Sequence, residues 1–131
     1  MIGVDTNVLI RHLVKDDPQQ AEQARRFFTD RSPDDPAYIS TAVVVETVSV
    51  LRRRYGVSRP DVVRVLETLL RSRDISIQSA ASLRRAVVDA EEANTDLADA
   101  IIAHAAIDNG CDGTVTFDRR AQRLPGMLPV G

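Results

Sequence analysis

Met1-Ile2-Gly3-Val4-Asp5-Thr6-Asn7-Val8-Leu9-Ile10 opens the chain with a short apolar run that ends on an acid. Residues 1–5 read as a buried strand, and Thr6–Val14 then sets Val8, Leu9 and Leu13 at helical spacing. A strand that passes directly into a helix is the repeating unit of an α/β fold. The same alternation recurs downstream. Asp17 and Pro18 start a helix that runs to about Asp30, with Asp17 as the cap and Pro18 in the first turn. Residues 37–40 form a short strand, and Ser40 or Thr41 caps a helix that reaches Tyr55 and stops at Gly56. Ser58-Arg59-Pro60-Asp61 is a further helix start, followed by Val62, Val63, Leu66, Leu69 and Leu70 on one stripe. That stripe is either core or a surface for a second copy.

Residues 75–77 form a strand, Ser79 caps a helix to about Ala93, and a helix spans residues 96–109 before Gly110. Residues 114–116 are a strand, 117–123 a short helical turn and 127–130 an edge strand. Helices that separate the strands supply crossover connections, so the sheet is expected to be mainly parallel with helices on both faces. The length of 131 residues suits one domain over residues 1–131.

Composition excludes several classes. The single cysteine, Cys111, rules out an intrachain disulfide and is expected as a small buried hydrophobe. The N-terminus has no basic leader followed by an apolar run, and no stretch approaches the roughly 20 apolar residues of a membrane span. A cytoplasmic protein is expected. The net charge is −2, unlike a typical nucleic-acid binder. The basic residues are nevertheless almost all arginine, the better bidentate phosphate binder, with Lys15 the only lysine. Arginine-for-lysine usage and the charge needs of helix faces explain each arginine cluster taken alone.

Four acids stand out by placement. Asp5 ends the first strand, Glu46 lies in the second turn of the helix after Ser40, Asp99 lies near the start of the helix after Asn94, and Asp118 follows the strand at residues 114–116. In a parallel sheet, residues just past the carboxyl ends of the strands share one rim. Asp96 lies three residues before Asp99 and faces the same way on a helix. On the Glu46 helix, Ala42, Glu46, Ser49 and Arg53 form the less apolar stripe. Each acid alone has an ordinary reading: Asp5 and Asp96 as helix caps, Glu46 as an exposed helix acid, Asp118 as a turn residue. Four together at these places outweigh it. Carboxylates that converge repel one another unless a cation or a raised pKa compensates. A hard cation with oxygen ligands, Mg²⁺ or Mn²⁺, fits a set without histidine or thiol, and such an ion does phosphoryl chemistry.

At these residues the sequence resembles the PIN-domain family and, within it, the VapC-type toxins. The resemblance is carried by Val4-Asp5-Thr6-Asn7-Val8-Leu9-Ile10, by Ile39-Ser40 with Glu46, by Glu46-Thr47-Val48-Ser49-Val50-Leu51-Arg52-Arg53-Arg54-Tyr55-Gly56, by Asp96-Leu97-Ala98-Asp99-Ala100-Ile101-Ile102-Ala103, and by Val115-Thr116-Phe117-Asp118. It implies a PIN-like three-layer α/β/α sandwich. It implies that Asp5, Glu46, Asp99 and Asp118 bind Mg²⁺ or Mn²⁺, that Asp96 is an additional acid, and that Thr6, Asn7 and Thr116 support the site. It further implies a metal-dependent endoribonuclease, the toxin of a toxin–antitoxin module, with an RNA substrate, a VapB-like antitoxin and a homodimer or toxin–antitoxin hetero-oligomer. Arg52, Arg53 and Arg54, with Arg119 and Arg120, are candidates for RNA phosphate contacts.

Rival readings fit less well. A haloacid-dehalogenase-like phosphatase wants a second aspartate where Asn7 stands and a later lysine, which Lys15 does not supply. A receiver domain fails for the same lack of lysine. A non-catalytic PIN-like binding module is expected to have lost some of the acids. His12 and His104 have no partner at metal-ligand spacing and read as ordinary helix residues. The aromatic residues are too scattered for a base-stacking platform.

Overall fold

The computed structural model describes all residues, 1–131. The chain divides into two compact units, Met1–Gln78 and Ser79–Gly131. The first contains β1 (Ile2–Gly3), α1 (Thr6–Leu13), α2 (Pro18–Thr29), β2 (Ala37–Ile39), α3 (Thr41–Arg53), α4 (Arg59–Arg71) and β3 (Ile75–Ile77). Its sheet has the order β1-β2-β3 and is parallel throughout, with Gly3 opposite Tyr38 and Ile39 opposite Ile77. Parallel neighbours need long crossovers, and the α1–α2 and α3–α4 pairs provide them.

Short polar residues set the helix starts. The Asp17 carboxylate accepts from the Gln20 N–H at 3.1 Å, the Ser40 hydroxyl from Val43 at 3.2 Å and the Ser58 hydroxyl from Asp61 at 3.4 Å. Each satisfies an amide that the first helical turn leaves open, worth about 1 kcal/mol. Gly56 follows α3 at φ +63°, a conformation that glycine adopts without a Cβ penalty. Leu9, Ile39, Val48, Val62 and Leu66 are buried in the core of the chain. The α4 stripe is therefore mostly core, since Val62, Leu66 and Leu69 are all inside.

The second unit contains α5 (Ala80–Ala93), α6 (Leu97–Asp108), β4 (Thr114–Thr116), a 3-10 turn (Ala121–Arg123) and β5 (Met127–Pro129). α5 packs on α6, and Ala86, Ala90, Ala100 and Ala103 are all buried. Two polar bonds tie the helices: His104 Nε2 lies 2.7 Å from an Asp89 carboxylate oxygen, and the Ser82 hydroxyl donates to Asp108 at 2.5 Å. β4 and β5 pair in parallel, with Val115 opposite Leu128. The mainly parallel sheet expected from the sequence is thus present as a three-stranded set in one unit and a two-stranded pair in the other.

Three local expectations need correction. Ser79 does not cap α5 with its side chain, because its backbone is left-handed at φ 52° and ψ 46°. A capping serine needs extended dihedrals to turn its oxygen toward the first amides. Cys111 is exposed, just after the turn at Gly110, and is no core residue. The helical turn after Phe117 contracts to the three residues of the 3-10 turn.

Candidate active site

In the first unit, the Val4 amide donates to the Tyr38 carbonyl at 2.9 Å, which fixes the backbone immediately before Asp5. Asp5 is the N-cap of α1, and one of its oxygens accepts the Thr6 N–H at 2.9 Å. Its capping role therefore occupies one oxygen and leaves the other free. Glu46 is exposed on α3, which packs against α1. Asp5 and Glu46 open onto one cleft of ≈190 Å³, together with Thr6, Asn7, Ile10, Arg11, Val50, Arg54 and Tyr55. Thr6 is itself buried, so it contributes its capped backbone more than its hydroxyl.

The polar stripe of α3 runs differently from the sequence expectation. Glu46, Val50 and Arg54 line the cleft at four-residue spacing, and Ser49 and Arg53 do not. Of the arginine cluster at residues 52–54, Arg54 is the member that lines the cleft, and the residues missed from sequence are Arg11 and Tyr55. Two four-residue steps from Glu46 single out Arg54 from that cluster. The Tyr55 contact could not be read, because it spans distant chain positions: its hydroxyl donates to Asp16 at 2.9 Å. Arg11 reaches the same Asp16 at 3.1 Å and Gln20 at 2.7 Å.

In the second unit, Asp96 occupies the N-cap position of α6, but its side chain makes no capping hydrogen bond. Asp99 stands in the first turn of the same helix. Asp118 follows β4 in a tight turn. The Thr116 hydroxyl accepts the Asp118 N–H at 3.0 Å, and one Asp118 oxygen accepts the amides of Arg120 at 2.9 Å and Ala121 at 3.2 Å. Those bonds orient the carboxylate and leave its other oxygen free. The Asp99 carboxyl is raised above its ordinary range, first by burial and then by the negative charges of Asp96 and Asp118. Asp96 and Asp118 thus both act electrostatically on Asp99.

This donor set fits a hard divalent cation in kind. All the candidate ligands are oxygens, and the repulsion felt by Asp99 is what a cation would relieve. Within neither unit do three such side chains gather closely enough to hold an ion by themselves.

The arginines chosen from sequence divide. The Arg52 guanidinium donates to the Val57 carbonyl at 3.2 Å, and Arg120 donates to the Asn94 carbonyl at 2.8 Å, so both help to hold backbone. Arg53 and Arg119 are exposed. His104 is accounted for by Asp89, and the His12 ring stacks on Phe28 with centroids 4.4 Å apart.

A family model described as the PIN domain matches residues 2–127. Comparison with curated proteins gives no match.

Proposed function

The chain belongs to the PIN-domain family, a nuclease fold whose members are generally metal-dependent, and from that premise we propose that it is a metal-dependent endoribonuclease and the toxin of a VapBC-like toxin–antitoxin module. The observation that carries the reading is Asp99, whose carboxyl is raised above its ordinary range first by burial and then by the negative charges of Asp96 and Asp118. A half-buried carboxyl that also feels two neighbouring negative charges is disfavoured in its ionised form, and a bound cation is the simplest relief.

In this reading Asp5, Glu46, Asp99 and Asp118 hold Mg²⁺ or Mn²⁺, with Asp96 as an additional acid. The ion, when bound, would supply a Lewis acid and a water activated for attack on a phosphodiester. The chain's own residues provide orientation. The Thr6 amide fixes the Asp5 carboxylate, and the amides of Arg120 and Ala121 fix that of Asp118. Thr116 sets the turn that carries Asp118. Asn7 adds a polar side chain beside Asp5 on the cleft. Arg53 and Arg119 are outer contacts for RNA phosphates.

The toxin assignment rests on the four-block resemblance to VapC-type chains. It carries with it a VapB-like antitoxin, a homodimer or toxin–antitoxin assembly, and a cytoplasmic site of action. No helix is long and apolar enough to cross a membrane.

The test is cleavage of total bacterial RNA by purified protein with Mg²⁺, with Mn²⁺ and with EDTA, beside Asp5→Asn and Asp99→Asn variants. Discrete fragments that require the metal and vanish in both variants are expected. Well-folded protein that cuts nothing in either metal would overturn the nuclease reading in favour of a non-catalytic binding module. Growth arrest on expression, relieved by the product of an adjacent gene, tests the toxin assignment separately.

A further inference from the structure

The cleft of the first unit contains two acids and two arginines, and the arginines differ in what they touch. Arg11 is engaged by Asp16 and Gln20 at 3.1 and 2.7 Å. The Arg54 guanidinium forms no ion pair or hydrogen bond within the chain. Its one contact is with the face of Tyr55, 5.6 Å from the ring centroid. Tyr55 is in turn anchored to Asp16 through its hydroxyl at 2.9 Å. Arg54 thus rests on a fixed ring and carries an unmatched charge. It shares a cleft with Asp5 and Glu46 but bonds to neither, so neutralising those acids does not explain it.

We propose that Arg54 binds a backbone phosphate of single-stranded RNA on the Asp5–Glu46 side of the cleavage site, with Tyr55 and Asp16 as positioning residues. The proposal rests on the nuclease reading and names a substrate contact within it. The chemistry favours a phosphate because a guanidinium offers a fork of donors that matches two phosphate oxygens. The size of the cleft agrees. At ≈190 Å³ it is smaller than the roughly 300–1,000 Å³ of pockets that enclose whole organic ligands. It suits a phosphate and the edge of a ribose, and leaves the base outside.

The experiment uses the full chain, a dye-labelled single-stranded RNA oligomer of random sequence, and EDTA to prevent cleavage. Anisotropy titrations are run across about a decade of salt. Each phosphate contact on single strands contributes about 0.7 to the slope of log K against log salt. Arg54→Gln is therefore expected to reduce that slope by about 0.7 and to weaken binding about fivefold near ~0.1 M salt. Arg54→Lys keeps the charge and should keep most of the slope. Arg71→Gln removes the same charge from the end of α4, away from the cleft, and should bind as the parent does. Equal losses in Arg54→Gln and Arg71→Gln would mean that only net charge matters, and would overturn the proposal. An Arg54→Gln protein that keeps parental affinity would also overturn it. If the parent still cleaved RNA in that case, the nuclease reading would survive. A parent that neither binds nor cleaves RNA would remove both.

Discussion

Thr47 is 1 % exposed in α3, and its hydroxyl has no hydrogen-bond partner. A buried hydroxyl without a partner has lost its water and gained nothing in return, at a cost of about 1–3 kcal/mol. Thr47→Val removes that hydroxyl and keeps the branched shape. Helix propensity hardly changes, since threonine and valine rank together. The added methyl contributes up to about 0.8 kcal/mol of further burial. The net expectation is a stabilisation of about 2 kcal/mol, which for a chain of this length corresponds to roughly 6–8 °C in Tm. Thr47→Ser is the counterpart: it keeps the hydroxyl, loses the methyl and should cost about 1 kcal/mol. Urea and thermal melts followed by circular dichroism, with tyrosine emission as a second probe, read both changes. If Thr47→Val melts lower than the parent, the hydroxyl has a partner in the working protein and the reasoning is wrong.

Other perturbations have equally definite signs. Gly113→Ala would place a Cβ 2.8 Å from a Leu128 methyl and 3.1 Å from the Gly126 carbonyl oxygen, which the Thr114 amide holds at 2.7 Å. Leu128 can swing aside but that backbone cannot, so a loss of about 1–3 kcal/mol is expected in the same melts, and an unchanged midpoint would contradict it. Ser79→Gly relieves a left-handed serine, worth about 1–2 kcal/mol, against glycine's added chain entropy; a net gain of roughly 0.5–1 kcal/mol is expected, and a loss would show that the serine hydroxyl has a partner. Burial, and then the charge of Lys15, hold the His12 imidazole below its ordinary value. The unfolded chain then takes up this proton first, so the stability due to a neutral His12 is complete above about pH 6.5 and declines as the pH falls below it. His12→Phe should flatten that part of the stability–pH curve, and a curve of unchanged slope would exclude the linkage.

What could be read from sequence was what local chemistry dictates. Asp17, Ser40 and Ser58 announce helices because a short oxygen side chain can satisfy the first open amides, and all three do so. Strands at residues 75–77 and 114–116 were bounded correctly by their flanking polar residues. The placement of Asp5, Glu46, Asp99 and Asp118 followed from those boundaries. Ser79 failed because the residue type suits a cap while the backbone there is left-handed. Cys111 failed because burial preference is an average, and this cysteine sits at a turn. Arg52, Arg53 and Arg54 could be read only as one cluster, because composition gives a cluster and no direction. Only the angular position on α3 separates the arginine in the cleft from its neighbours. Tyr55 with Asp16 was invisible because 39 residues separate them along the chain.

The exposed thiol of Cys111 offers a practical handle. It is the only cysteine, it lies in the Ser79–Gly131 unit, and the chain has no tryptophan. A tryptophan substituted for Phe27, in the Met1–Gln78 unit, would be the sole such emitter, and an acceptor dye would attach to one place only. Energy transfer between the two would then report one interval joining the halves that carry Asp5 and Glu46 on one side and Asp99 and Asp118 on the other. Readings with and without Mn²⁺ would show whether the ion acts on that interval.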